Sequence, residues 1–78
     1  MAKTHKIKIL PRYFSAVFNK IKNAEVRYND RGYEVGDWLL LEEWADGHYT
    51  GLYVYRWIKA VYELDSIGLN GYVLICME

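Results

Sequence analysis

Seventy-eight residues make one domain, residues 1–78, with no room for a second core. The single cysteine excludes an internal disulfide, and three Trp, eight Tyr and two Phe supply the apolar area that a chain this short needs. The formal charge is zero, yet residues 1–31 carry eight Lys/Arg against two Asp/Glu, and residues 32–78 carry two against eight. That split points either to a polyanion-binding face or to halves that interleave and cancel.

In chain order, Lys6-Ile7-Lys8-Ile9-Leu10 alternates charge with aliphatic, the period of a half-buried strand. Pro11 stops it and opens a helix. Phe14, Val17, Phe18 and Ile21 stand at i, i+3, i+4 and i+7 and form its apolar stripe. Lys20 and Lys22 follow at the C-terminal end, where the helix dipole favours cations.

Ala24 to Tyr28 alternates again, with Glu25 and Arg27 on one face and Ala24, Val26 and Tyr28 on the other. Asn29-Asp30-Arg31-Gly32 and Gly36-Asp37 are turn sequences. Trp38–Trp44 reads as a strand, and Asp46-Gly47 as a hairpin turn needing positive φ. Tyr49–Leu64 is too long for one flat strand and calls for a bend or bulge near Arg56. Asp65–Gly71 is a loop. Tyr72–Met77 closes the chain with Val73, Ile75 and Met77 on one face.

The expected fold is α+β and mainly β: a small five-stranded barrel or strongly curled sheet, with one main helix after the first strand. No run approaches the ~20 apolar residues of a spanning helix, and neither a leader nor a lipidation signal is visible, so the expected location is the cytoplasm.

Metal binding finds no support, because His5, His48 and Cys76 stand apart without ligand spacing. Neither a glycine-rich phosphate loop nor a serine nucleophile elbow occurs, and no cofactor is implied. Cys76, among apolar strand neighbours, reads as a buried inert thiol. The polar cluster Lys22, Glu25, Arg27, Asn29, Asp30 and Arg31 is denser than the rest. It is either a grip for a phosphate or base edge, or a solvated face with an ion pair.

At this cluster the chain resembles a known family. Lys22-Asn23-Ala24-Glu25-Val26-Arg27 resembles the Lys-x-x-Glu-x-Arg core of the ASCH superfamily, whose fold is a PUA-like β-barrel. The wider frame resembles a subgroup common in bacteria and phages, the DUF3850 domain. It is carried by His5-Lys6-Ile7-Lys8-Ile9, Phe14 and Val17, Glu25 to Arg31, Val35-Gly36-Asp37, Tyr49-Thr50-Gly51 and Gly71-Tyr72-Val73. Two positions depart from the superfamily pattern: Lys20 stands where glycine is usual, and Asn23 where threonine is common.

The resemblance implies a cleft between helix and barrel that takes RNA or a nucleotide-like ligand. Lys8, Lys22, Arg27 and Arg31 would contact phosphate, Glu25 or Asn29 would read a base, and Asp30 belongs to the same motif. Some small relatives resemble amidohydrolases on an acylated cytidine, in which case Lys22 and Glu25 would be the catalytic pair.

Tyr49, Tyr53, Tyr55 and Trp57 share one side of the long strand by period-two counting. Core packing is the first expectation for them; a dimer interface and base stacking remain open. Three functions therefore stand: an RNA- or nucleotide-binding module taking a short single strand, a small hydrolase of a modified nucleoside, and a protein-interaction or homodimerisation domain.

Overall fold

The computed structural model describes residues 2–78. The order of elements is β1 (Thr4–Ile9), α1 (Pro11–Phe18), β2 (Ala24–Tyr28), β3 (Trp38–Ala45), β4 (His48–Glu63), a 3₁₀ turn (Asp65–Ile67) and β5 (Tyr72–Met77). The five strands form one mixed sheet in the order β1-β3-β4-β5-β2. β1 runs parallel to β3, and the other three pairings are antiparallel.

β4 organises the sheet by changing partner along its length. Its first part, through Trp57, pairs with β3, and its second part, from Ile58, pairs with β5. The ladder slips between Ile58 and Ala60, so the expected irregularity lies at Lys59, just beyond Arg56. A bulge increases local twist, and here it turns the strand from one half of the sheet into the other. A second slip lies between Glu42 and Trp44 of β3. The β3–β4 hairpin turns on Asp46 (φ 53°) and Gly47 (φ 82°), the two positive φ values that a tight two-residue turn needs.

Ile7 and Ile9, Leu39 and Leu41, Ile58, and Val73, Ile75 and Met77 point inward from four strands and are buried. Phe14 and Val17 of α1 and Tyr33 complete the core. The predicted stripe on α1 is cut short. Phe18 is 60% and Ile21 78% exposed, because the helix ends at Phe18 in a Schellman motif. The Ile21 N–H reaches Ala16 O at 2.8 Å and the Lys20 N–H reaches Val17 O at 3.1 Å. Lys20 occupies the left-handed position of that motif, at φ 59°.

The expected barrel is not closed by strand pairing. β1 and β2 remain the two edges of the sheet. Side chains span the gap instead: Arg27 Nη2 donates to Lys8 O at 3.0 Å, and Arg31 Nη1 donates to Lys6 O. Guanidinium donors thus satisfy edge carbonyls that a neighbouring strand would otherwise take.

Candidate functional site: the seam between the two edge strands

The outcome for the charge split is partial segregation. β1 and β2, which hold Lys6, Lys8 and Arg27 of the basic half, face each other across the open seam. An open cavity of about 660 Å³ lies there, lined among others by Lys8, Leu10 and Tyr13 on one side and Lys22, Glu25 and Arg27 on the other. Ile9 and Leu74 add apolar wall.

Local sequence explains how the charged groups arrive. β2 carries Glu25 and Arg27 on one face, and the opposite face leaves Val26 and Tyr28 exposed. The polar face of this strand therefore turns toward the molecule and the apolar face toward solvent, the reverse of the usual arrangement. The Glu25 carboxylate sits between two cations: Oε1 is 2.9 Å from Lys22 Nζ, and Oε2 is 3.6 Å from Arg27 Nε. Lys22 Nζ also donates to Ala24 O. The Glu25 side chain is nearly buried, whereas Lys22 and Arg27 keep about a third of their surface, so the cations are the accessible members.

Of the seven residues singled out from the sequence, Lys8, Lys22, Glu25 and Arg27 line the cavity. Arg31 lies on the same seam but is committed to Lys6 O. Asn29 and Asp30 do not line it. Asn29 Oδ1 accepts the Tyr33 N–H at 2.9 Å and so caps the turn, while the Asp30 N–H bonds Tyr28 O at 2.9 Å.

Two buried polar groups escaped the sequence reading. His5 Nε2 lies 2.8 Å from Asp37 Oδ2, and Asp37 also accepts the N–H groups of Lys3 (3.0 Å) and Glu34 (3.2 Å). Burial pushes the Asp37 carboxyl up, but these hydrogen bonds outweigh it and hold its pKa below the ordinary aspartate value. Neither residue lines the cavity; they join the first strand to the loop before β3.

The other is Arg56, buried behind the turn that carries Lys22. Its Nη1 donates to Val17 O (3.0 Å), and its Nη2 to Asn23 Oδ1 (2.7 Å) and Met77 O (3.3 Å). Burial lowers its pKa. A single arginine inside a long strand gives no sequence signal of this role; only its inward register, between Val54 and Ile58, would have shown it.

The seam residues fall inside a segment matched by a family model. The model described as "Domain of unknown function (DUF3850)" matches residues 4–77. The chain belongs to the DUF3850 family. An "Uncharacterized 12.9 kDa protein in GpA 3'region" of Escherichia phage P2 is 45% identical over 75 residues, covering 96% of this chain and 68% of that protein.

Among the described residues of this DUF3850 chain, no helix is long and apolar enough to cross a membrane. The Tyr-rich strand also departs from expectation. Tyr49, Tyr53 and Tyr55 are exposed, so they do not pack into the core. Val54, Arg56 and Ile58 take the inward positions of β4 instead.

Proposed function

We propose that the seam cavity binds a nucleotide or a short single-stranded RNA segment, within an ASCH-like, PUA-like frame. The observation that carries this reading is the convergence of Lys22 and Arg27 on one nearly buried carboxylate, at a cavity that Lys8, Leu10 and Tyr13 also line. A phosphate suits the accessible cations. A base edge with an amino group suits Glu25, an acceptor-only group when ionised. The Tyr13 ring, part exposed, offers a stacking surface. Arg27 spends one of its five N–H donors on Lys8 O, which leaves others for a ligand.

The test is an NMR titration of the labelled protein with nucleoside monophosphates and short RNAs at two salt concentrations. Localised shifts at residues 8–13 and 22–27, lost in Arg27→Ala, are expected. Affinity should fall by about 0.7 decade per decade of salt for each phosphate contact. Silence across the ligands refutes the reading.

A second reading is supported by one distance. Lys22 Nζ and Glu25 Oε1 at 2.9 Å are within proton-transfer reach, as a hydrolase of an N-acylated nucleoside would require. It predicts product peaks in the same titration, abolished by Lys22→Ala.

A further inference from the structure

Apart from Lys8, the outward face of β1, β3 and β4 is not used by the seam. Strand register stacks it in rows: Thr4–Trp38–Trp57, then Lys6–Leu40–Tyr55, then Lys8–Glu42–Tyr53. Trp38, Tyr55 and Tyr53 are 44%, 52% and 60% exposed. Tyr53 and Tyr55 meet edge to face at 6.0 Å. Beyond them Lys8 Nζ lies 4.0 Å from the centre of the Trp44 ring, and Trp44 in turn meets Tyr49 at 4.8 Å. Lys8 therefore belongs to both places: it lines the seam cavity and caps the aromatic face.

We infer that this face is a stacking platform for an extended single strand of nucleic acid that continues out of the seam cavity past Lys8. The inference rests on the nucleotide-binding reading of the cavity and adds the class of its natural ligand. Charge selects this occupant. The three rows carry Lys6 and Lys8 against one carboxylate, Glu42, and a phosphate backbone neutralises both lysines. A second copy of the chain would bring the same cationic excess to the contact. Spacing agrees as well. Successive rows lie about 6.6–6.8 Å apart along a strand, about twice the 3.4 Å rise of a stacked strand. The bound strand is therefore unstacked, with its bases free to lie on rings.

The experiment compares uridine monophosphate with oligouridylates of increasing length, up to about eight nucleotides. Binding is followed by tryptophan fluorescence and by NMR. The expected result is affinity that rises with length and then levels off, with quenching of tryptophan emission. Tyr55→Ala should lower oligomer affinity about fivefold or more and leave the monophosphate unaffected, while Tyr55→Trp, which keeps the ring, restores tight binding. Oligomers that bind no better than the monophosphate overturn the platform and leave the cavity reading standing. Oligomers that bind through Tyr55 while residues 22–27 show no NMR shift overturn the path out of the seam cavity and remove the cavity reading. No binding by any member, together with a dimer in sedimentation that Tyr55→Lys disperses, overturns the platform and assigns the face to a second copy.

Discussion

Replacing Arg56 by methionine tests what holds the turn behind the seam. The side chain is 4% exposed, and three acceptors depend on it: Val17 O at the end of α1, Met77 O of β5 and the Asn23 side chain. Methionine fills much of the same volume but donates nothing. Asn23 can turn to water and Val17 O keeps the Lys20 N–H, so the loss is two hydrogen bonds from a charged donor to backbone carbonyls, at about 1.5–3 kcal/mol each. Against this, removing a desolvated guanidinium is favourable. Such a charge, with no carboxylate beside it and an Nε that has no partner among the described residues, returns about 1–4 kcal/mol on replacement by an apolar group. The carbonyl terms win by a small margin, and Arg56→Met is expected to lose about 2 kcal/mol. Domains of this length have about 4–12 kcal/mol in all, at 0.05–0.15 per residue, so the variant still folds. Urea unfolding followed by tryptophan fluorescence should show a midpoint lower by about 2 M for a slope near 1 kcal/mol/M. Arg56→Ala, which adds a cavity, should lose more. An Arg56→Met protein as stable as the parent, or more so, would refute the reasoning, because desolvation would then outweigh every bond the guanidinium makes.

Other perturbations have equally definite outcomes. Asp37→Asn should abolish one part of the acid sensitivity of the fold. Because the folded pKa of Asp37 is depressed, its stabilisation is full above the ordinary aspartate value and is lost as pH falls through the lower folded value, below about pH 4. Urea midpoints at pH 3 and pH 6 should therefore differ less in the variant than in the parent; an equal difference rejects this assignment. Gly71→Ala should destabilise by about 1–3 kcal/mol, because Gly71 sits at φ 82° and an added Cβ would lie 2.6 Å from the Tyr28 ring; thermal unfolding reads it. Lys20→Gly should stabilise by about 1 kcal/mol, since Lys20 holds a left-handed φ of 59°, and it should leave nucleotide titrations unchanged, as Lys20 does not line the cavity. Arg27→Ala should change urea stability by no more than about 1 kcal/mol, because its bonds are solvent-exposed.

Periodicity carried the element order, because the side chains of each strand alternate between two faces. Val73, Ile75 and Met77 were legible for this reason, and β5 has the bounds read from its alternation. The same rule failed on β2 and on the outer face of β4, where apolar side chains face solvent: Val26, Tyr28, Tyr53 and Tyr55 are all exposed. Alternation states which residues share a face and not which face is buried. On β2 the inward face is the charged one, and on β4 it includes Arg56. The helix stripe misled at Ile21 for a different cause, since no glycine or proline marks the end of α1; a lysine takes the left-handed turn. Among the site residues, the four that line the cavity were legible from their charge density and motif. Asn29 and Asp30 belong to the same motif and the same polar cluster, but the chain turns at Tyr28 and they do not line the cavity.

Lys20 and Asn23 meet in one structural unit. Lys20 adopts the left-handed conformation that glycine would take there at no steric cost, and the Schellman bonds to Ala16 and Val17 still form. Asn23 ties both ends of the turn: its Nδ2 donates to Lys20 O at 2.9 Å, and its Oδ1 accepts from Arg56 at 2.7 Å. Its backbone carbonyl accepts the Met77 N–H at 2.9 Å. Residues 19–23 are thus fixed to the helix end, to β4 and to β5 before β2 begins. Lys22 leaves that fixed turn directly toward Glu25. The geometry of the seam therefore depends on a buried arginine that lines no part of it, and loosening Arg56 should disturb the Lys22–Glu25 contact before it unfolds the sheet.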